Sequence, residues 1–321
     1  MNRRKFLKLT AAGAATSGVA ALMVHSERLF TSTNDFENNS ITVPADVKKT
    51  FAKCGACSHT FFFLLNREFG YPKENEERAA DPLAGGLMNK QHQCGMLWGA
   101  SLAAGAESFR RYTNRDQAIL AAINATQHLV ASFSKRAKSV NCRDVIGCET
   151  SNNFDIAKFI LKSLPGGLNN MVCMNLAEKW APEAIQAAKE GLTDTQPALS
   201  QPPLCCACEV AKKIGASDEE MVTVAGFSGG LGLSGYACGA LSAAIWLNTL
   251  AFCRENPGKS GYLNPHSEEI VKTFFEATGS EILCHKITGK YFKTMGEHTE
   301  FIKNGGCDKL IDVLATKSQM T

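Results

Sequence analysis

Two stretches of this chain copy one another: Ala84-Gly-Gly-Leu-Met-Asn-Lys-Gln-His-Gln-Cys-Gly95 and Ser228-Gly-Gly-Leu-Gly-Leu-Ser-Gly-Tyr-Ala-Cys-Gly239. They align without a gap at an offset of 144 residues. Upstream of each stands a Cys-x-x-Cys pair, Cys54/Cys57 and Cys205/Cys208. Downstream, Cys142-Arg-Asp-Val-Ile-Gly147 answers to Cys284-His-Lys-Ile-Thr-Gly289, and Cys173-Met-Asn-Leu176 to Cys307-Asp-Lys-Leu310. The order is the same in both halves. The chain therefore reads as two copies of one unit, which decides the fold before any single helix is assigned.

Around these landmarks, apolar residues recur at helical spacing over 48–69, 94–112, 115–139, 173–190, 208–214, 217–227, 238–255, 267–278 and 307–316. Ser217 with Glu220 forms the pattern of a capping box. No alternating run long enough for a strand interrupts them, so the expected class is mainly α, as two tandem helical repeat units each gathering four cysteines. The units are expected at 48–190 and 205–321, joined by a Pro-rich linker at 191–204. A polar tether at 27–47 precedes them, behind a leader at 1–26.

The leader opens Asn2-Arg-Arg-Lys-Phe-Leu-Lys8 and continues uncharged from Leu9 to Ser26. A basic head followed by a mild, small-residue-rich apolar run is the pattern of an export signal; the paired arginines before Phe6-Leu7-Lys8 resemble the twin-arginine type. That likeness implies export of folded, often cofactor-loaded protein to the periplasm or the outer membrane face. A run of 18 uncharged residues would also serve as a membrane anchor if retained.

The whole sequence of 321 residues has 34 Lys and Arg against 31 Asp and Glu, a net charge of +3, and the first 25 residues hold four of those bases and no acid. The rest is near neutral, which argues against a nucleic-acid partner. Thirteen cysteines are the chemical signal. In the first copy the shared four are Cys57, Cys94, Cys142 and Cys173; in the second they are Cys208, Cys238, Cys284 and Cys307. Cys206 also suits the leading place of the second copy; pairing with Cys205, as Cys57 pairs with Cys54, selects Cys208. Cys54, Cys205 and Cys206 stand as alternates. Cys148 and Cys253 have no counterpart and are expected to be packing thiols.

Thiols at helix N-termini meet the positive end of the helix dipole, which favours thiolate, the form that binds metal. Four thiolates held by glycine-rich turns suit an iron–sulfur cluster or tetrahedral zinc; in an exported chain they also suit disulfides or metal-free thiol redox chemistry. Covalent haem is excluded by the missing Cys-x-x-Cys-His: Cys57 is followed by Ser58 and then His59, and Cys208 by Glu209. His92, His285 and His298 lie near the cysteines and are expected to pack or to support them. No phosphate loop, Ser-His-Asp set or paired-carboxylate pattern is present, so no catalytic residue is assigned.

The ordered cysteines, the Gly-Gly run before Cys238-Gly-Ala240, and the late Cys-x-x-Leu resemble the C-GCAxxG-C-C family of redox-active proteins, here in two tandem copies. The second copy departs at Ala243, where the family carries Gly; the first carries Met96 in place of alanine and keeps Gly99. The pattern is also similar to the domain of split-Soret cytochromes, whose fold implies an iron–sulfur site beside haems that this chain lacks. The resemblance implies a redox protein, most simply an electron carrier with one cluster per copy and an unidentified redox partner. Replacing Arg3 and Arg4 together by Lys is expected to leave folded protein in the cytoplasm, measured by cell fractionation; full export of that variant would remove the twin-arginine reading.

Overall fold

A computed structural model describes residues 47–147, 149, 171–194, 199 and 201–318. The leader, most of the tether and Cys148 lie outside the described residues. No described helix is long and apolar enough to cross a membrane.

The architecture is helical, as the apolar spacing requires. The first copy contains α1 (Val47–Cys54), α2 (Cys57–Glu68), α3 (Glu74–Ala79), a 3-10 turn (Asp81–Leu83), α4 (Gly95–Arg111), α5 (Arg115–Ala137), α6 (Cys142–Ile146) and α7 (Val172–Thr193). The second contains α8 (Cys206–Lys213), α9 (Asp218–Ala225), α10 (Gly239–Glu255), a 3-10 turn (Gly261–Leu263), α11 (His266–Thr278), α12 (Cys284–Thr288), α13 (Met295–Lys303) and α14 (Asp308–Ser318). Among the described residues the only extended pairing is two isolated antiparallel bridges, Gln93 with Asn141 and Ala237 with Leu283. Their members differ by 144 and 142, so even these belong to the repeat.

Two expectations need adjustment. The helical run at 48–69 is two helices, because Gly55 turns left-handed at φ +74° and the chain re-enters at Cys57. Helix α7 continues to Thr193, into the stretch expected as linker; Gly191 packs so closely that a Cβ there would lie 2.5 Å from the Ala125 Cα. The capping box forms as read, with Ser217 Oγ accepting from the Glu220 N–H and the Glu220 carboxylate accepting from the Ser217 N–H.

The two copies bury their apolar faces against each other and share one continuous core. Trp98 of the first packs edge-on against Phe227 of the second at 4.9 Å, and Trp246 Nε1 of the second donates to the Glu76 carbonyl of the first at 3.1 Å. Close to where the copies meet, the Ala237 N–H donates to Gln93 Oε1 at 2.9 Å, joining equivalent places of the two repeats.

Helices α2 and α4 approach closely enough that one position admits no side chain. A Cβ on Gly99 would lie 1.9 Å from the Ser58 carbonyl oxygen. The second copy carries buried Ala243 at the matching place, so its helices are not so tightly constrained. Gly99→Ala is therefore expected to cost about 1–3 kcal/mol through overpacking, while Ala243→Gly costs about 2 kcal/mol through helix propensity and the loss of a buried methyl, both read from urea midpoints.

Candidate functional site

Each copy builds its site from a turn that L-amino acids normally avoid. After the first 3-10 turn, Gly85, Gly86, Leu87, Met88 and Asn89 all have φ between +51° and +76°. Gly229, Gly230, Leu231, Gly232 and Leu233 repeat this with φ between +61° and +75°. A left-handed conformation costs an L-residue about 1–2 kcal/mol. The cost is met locally: Leu87 and Leu231 are fully buried, and the loop's N–H groups bond back to earlier carbonyls. Gly86 and Gly230 are obligatory, since a Cβ would fall 2.5 Å from the His92 nitrogen or 2.6 Å from the Tyr236 nitrogen.

The turn delivers the cysteines. The His92 carbonyl accepts from the Cys142 N–H at 2.6 Å, and the Tyr236 carbonyl from the Cys284 N–H at 2.6 Å. The Cys94 and Cys238 N–H groups donate to the Val140 and Ile282 carbonyls, each at 2.8 Å. Cys94 and Cys238 then act as N-caps of α4 and α10, while Cys142 and Cys284 are the first residues of α6 and α12. Cys173 lies in the first turn of α7, and Cys307 immediately precedes α14.

In the first copy Cys94 lies within electrostatic reach of the other three expected cysteines. Cys94 hydrogen-bonds to Cys57 and feels the charges of Cys57, Cys142 and Cys173. The bond from Cys94, opposed by burial and helped by the N–H groups of Gly85, Ser58 and Cys57, holds the Cys57 thiol below its ordinary pKa. The same bond, burial and the neighbouring sulfur charges push Cys94 well above it. Tyr262, reaching over from the second copy, is held protonated by burial and by Cys57, Asp81 and Cys142 nearby.

In the second copy the leading cysteine is Cys206, not Cys208. Cys208 forms a disulfide with Cys205, whereas Cys206 opens α8 and lines an apolar cavity with Cys238, Cys284 and Cys307. The reason is the helix start: Cys57 is the first residue of α2, and the first residue of α8 is Cys206. The N–H of Gly85 bonds Cys57 and that of Gly229 bonds Cys206, which are equivalent donors. Choosing Cys208 by its Cys-x-x-Cys spacing followed the wrong pair; in the first copy Cys54 and Cys57 stay unbridged.

Burial pushes the Cys238 thiol up to about 12, with the charge of Cys206 adding to it. Burial likewise raises Cys206, Cys284 and Cys307, in the last two reinforced by the sulfur charges beside them. His298 lines the same cavity and is kept neutral, pushed down to about 4 by burial. His285 stacks on Tyr291 at 4.5 Å and shares its Nδ1 with the Gly235 carbonyl, and His92 serves through its backbone. Cys253 is buried at 0% exposure, with Asp81, Arg78 and Glu76 as its charged neighbours.

The Ser228 hydroxyl is buried without a hydrogen-bond partner and stands near the Cys206 sulfur. Among the described residues, no three of His, Cys, Asp or Glu stand close enough to hold a single metal ion. Sequence reading missed Ser228 and His59. His59 sits against Cys54 and Asp81; burial works against its charge, but these two neighbours outweigh that and hold its pKa well above the ordinary histidine value.

The profile of the family described as "Putative redox-active protein (C_GCAxxG_C_C)" matches residues 56–182 and again 204–320. The chain belongs to this family. Both matched regions contain a complete set of four cysteines, and the redox role comes with the family. No curated protein and no solved structure matches the chain.

A thiol with a pKa near 12 is almost wholly protonated at pH 8. In metal-free protein, Cys238 is expected to react with iodoacetamide at pH 8 at least ~100-fold more slowly than in the urea-unfolded chain, since only thiolate attacks. Peptide mapping measures this, and equal rates would show that the thiol is not buried.

Proposed function

We propose that the protein is an exported electron carrier that holds one iron–sulfur cluster in each copy, on Cys57, Cys94, Cys142 and Cys173 and on Cys206, Cys238, Cys284 and Cys307. The observation that carries this reading is the doubled construction: four unbridged cysteines at helix starts, set by the same left-handed turn, twice in one chain. A cluster, when bound, supplies one-electron transfer at thiolate sulfur.

The chain's own residues fit such a group. Buried thiols whose pKa is raised stay protonated unless a positive centre replaces the proton, so the cavity calls for a cation rather than for free thiolate. Backbone N–H groups of Gly85 and Gly229 donate to the leading sulfurs, the kind of bond that tunes cluster potential. The apolar lining of Ile287, Phe292 and Leu310 excludes water in the second copy.

The zinc alternative is less well supported. Tetrahedral zinc with Zn–S bonds of about 2.3 Å needs sulfurs about 3.8 Å apart. The described cysteines are spread more widely than one ion requires. The metal-free alternative has support only at Cys205–Cys208, which lies outside both sets of four.

Anaerobically purified protein is expected to be coloured and to contain iron and acid-labile sulfide. Cys94→Ala should remove half of the iron, Cys238→Ala the other half, and the double variant should be empty. Cys206→Ser should remove the second copy's share while Cys208→Ser keeps it. A colourless protein containing zinc, or total loss from Cys94→Ala alone, would overturn the proposal.

A further inference from the structure

The cysteine that the two sites leave unused in the first copy has polar company. Cys54 ends α1, is partly exposed and unbridged, and hydrogen-bonds to the His59 ring. His59 Nδ1 lies 3.0 Å from Asp81 Oδ1. The other carboxylate oxygen of Asp81 accepts from Ser260 Oγ at 2.6 Å and from the Gly261 N–H at 2.9 Å, both from the second copy. The carboxylate is thus fixed on both sides, the ring is fixed by the carboxylate, and the sulfur stands beside the ring.

The repeat shows that this chain of three is not needed to build a four-cysteine site. Counting from the first residue of α2 and of α8, Cys54 corresponds to Pro203 and His59 to Cys208. At the 144-residue offset of the turn, Asp81 corresponds to Ala225. All three are replaced together in the second copy, which still gathers Cys206, Cys238, Cys284 and Cys307 around one cavity. The feature is thus confined to one copy and ends in a partly exposed thiol.

We propose that Cys54 is a reactive thiol that exchanges with small exposed disulfides, with His59 and Asp81 as its positioning residues. The sulfur of Cys54 attacks one sulfur of a disulfide R–S–S–R; that bond breaks and a Cys54–S–S–R bond forms. The proton lost by Cys54 ends on the departing thiolate as R–SH, so one disulfide is exchanged for another and no outside electron is needed. The inference does not depend on which group the eight site cysteines hold.

The test uses the full chain at pH 7 with oxidised glutathione as the probe, mass spectrometry to place the adduct, and iron content measured alongside. Cys54 is expected to be the first cysteine modified, with iron unchanged, and Cys54→Ser should abolish that adduct. His59→Ala should slow adduct formation at least tenfold, and His59→Gln, which can still hydrogen-bond the sulfur, should recover most of the rate. A purely structural His59 would alter melting temperature but not this order of rates. Equal rates in all three proteins would overturn the proposal, leaving an ordinary surface thiol. First modification at another cysteine, or loss of half the iron in Cys54→Ser, would also overturn it; the second outcome would make Cys54 a ligand. Colourless protein that still modifies at Cys54 would sink the cluster reading alone.

Discussion

A hydrogen bond of 2.6 Å, made twice, governs the arrangement of this molecule: from the Cys142 N–H to the His92 carbonyl, and from the Cys284 N–H to the Tyr236 carbonyl. Each ties a short helix start to the end of a left-handed turn. The bond exists only because the preceding Gly-Gly pair lets the backbone close on itself, with no room for a Cβ at Gly86 or Gly230. Strain at L-residues such as Met88 and Leu233 is held in place by the bonds that close the loop and by the buried leucines beside them. Backbone held in sparsely populated conformations tends to cluster where a protein works. Here the turn brings together an N-cap cysteine, a helix-opening cysteine and an N–H donor to a third.

The copies are alike at the turn and different around it. One core joins them, so neither folds around its own interior alone. Their partnership has direction: Ser260, Gly261 and Tyr262 of the second copy close over the first copy's Asp81 and Cys57, while the second copy's cavity is lined by its own residues. The two sites therefore sit in different electrostatic surroundings. In the first, Cys57 is favoured as thiolate by the thiol of Cys94; in the second, burial raises all four cysteines. If both hold the same group, its potential need not be the same in each, because bonds to sulfur and burial are what set it.

The helical class and the repeat were legible because order and spacing survive duplication. The helix starts at Cys94 and Cys238 follow from glycine turns meeting apolar runs, a local signal. Cys206 was misread because two cysteines fit one spacing, and only the start of α8 distinguishes them. The short helices α3, α6 and α12 carry too few turns for periodicity to reveal them. Asp81 looked like any surface carboxylate in the sequence; its partners Ser260 and Gly261 lie about 180 residues away, which no local pattern records.

The raised thiols of the second copy bear on what the cavity is for. A catalytic or exchanging cysteine works as thiolate, and proteins that use one lower its pKa with nearby positive charge. Around Cys206, Cys238, Cys284 and Cys307 the lining supplies none: Ile287, Phe292 and Leu310 are apolar, and His298 is neutral. Burial makes one isolated thiolate costly there and four together far more so, since like charges at short range repel strongly in a low dielectric. A positive centre that replaces four protons at once reverses both penalties, because each sulfur then gains a bond where it had lost hydration. These four thiols are thus better suited to binding a positive centre than to exchange. Cys54, partly exposed and beside the polar His59 ring, is the thiol we propose for exchange.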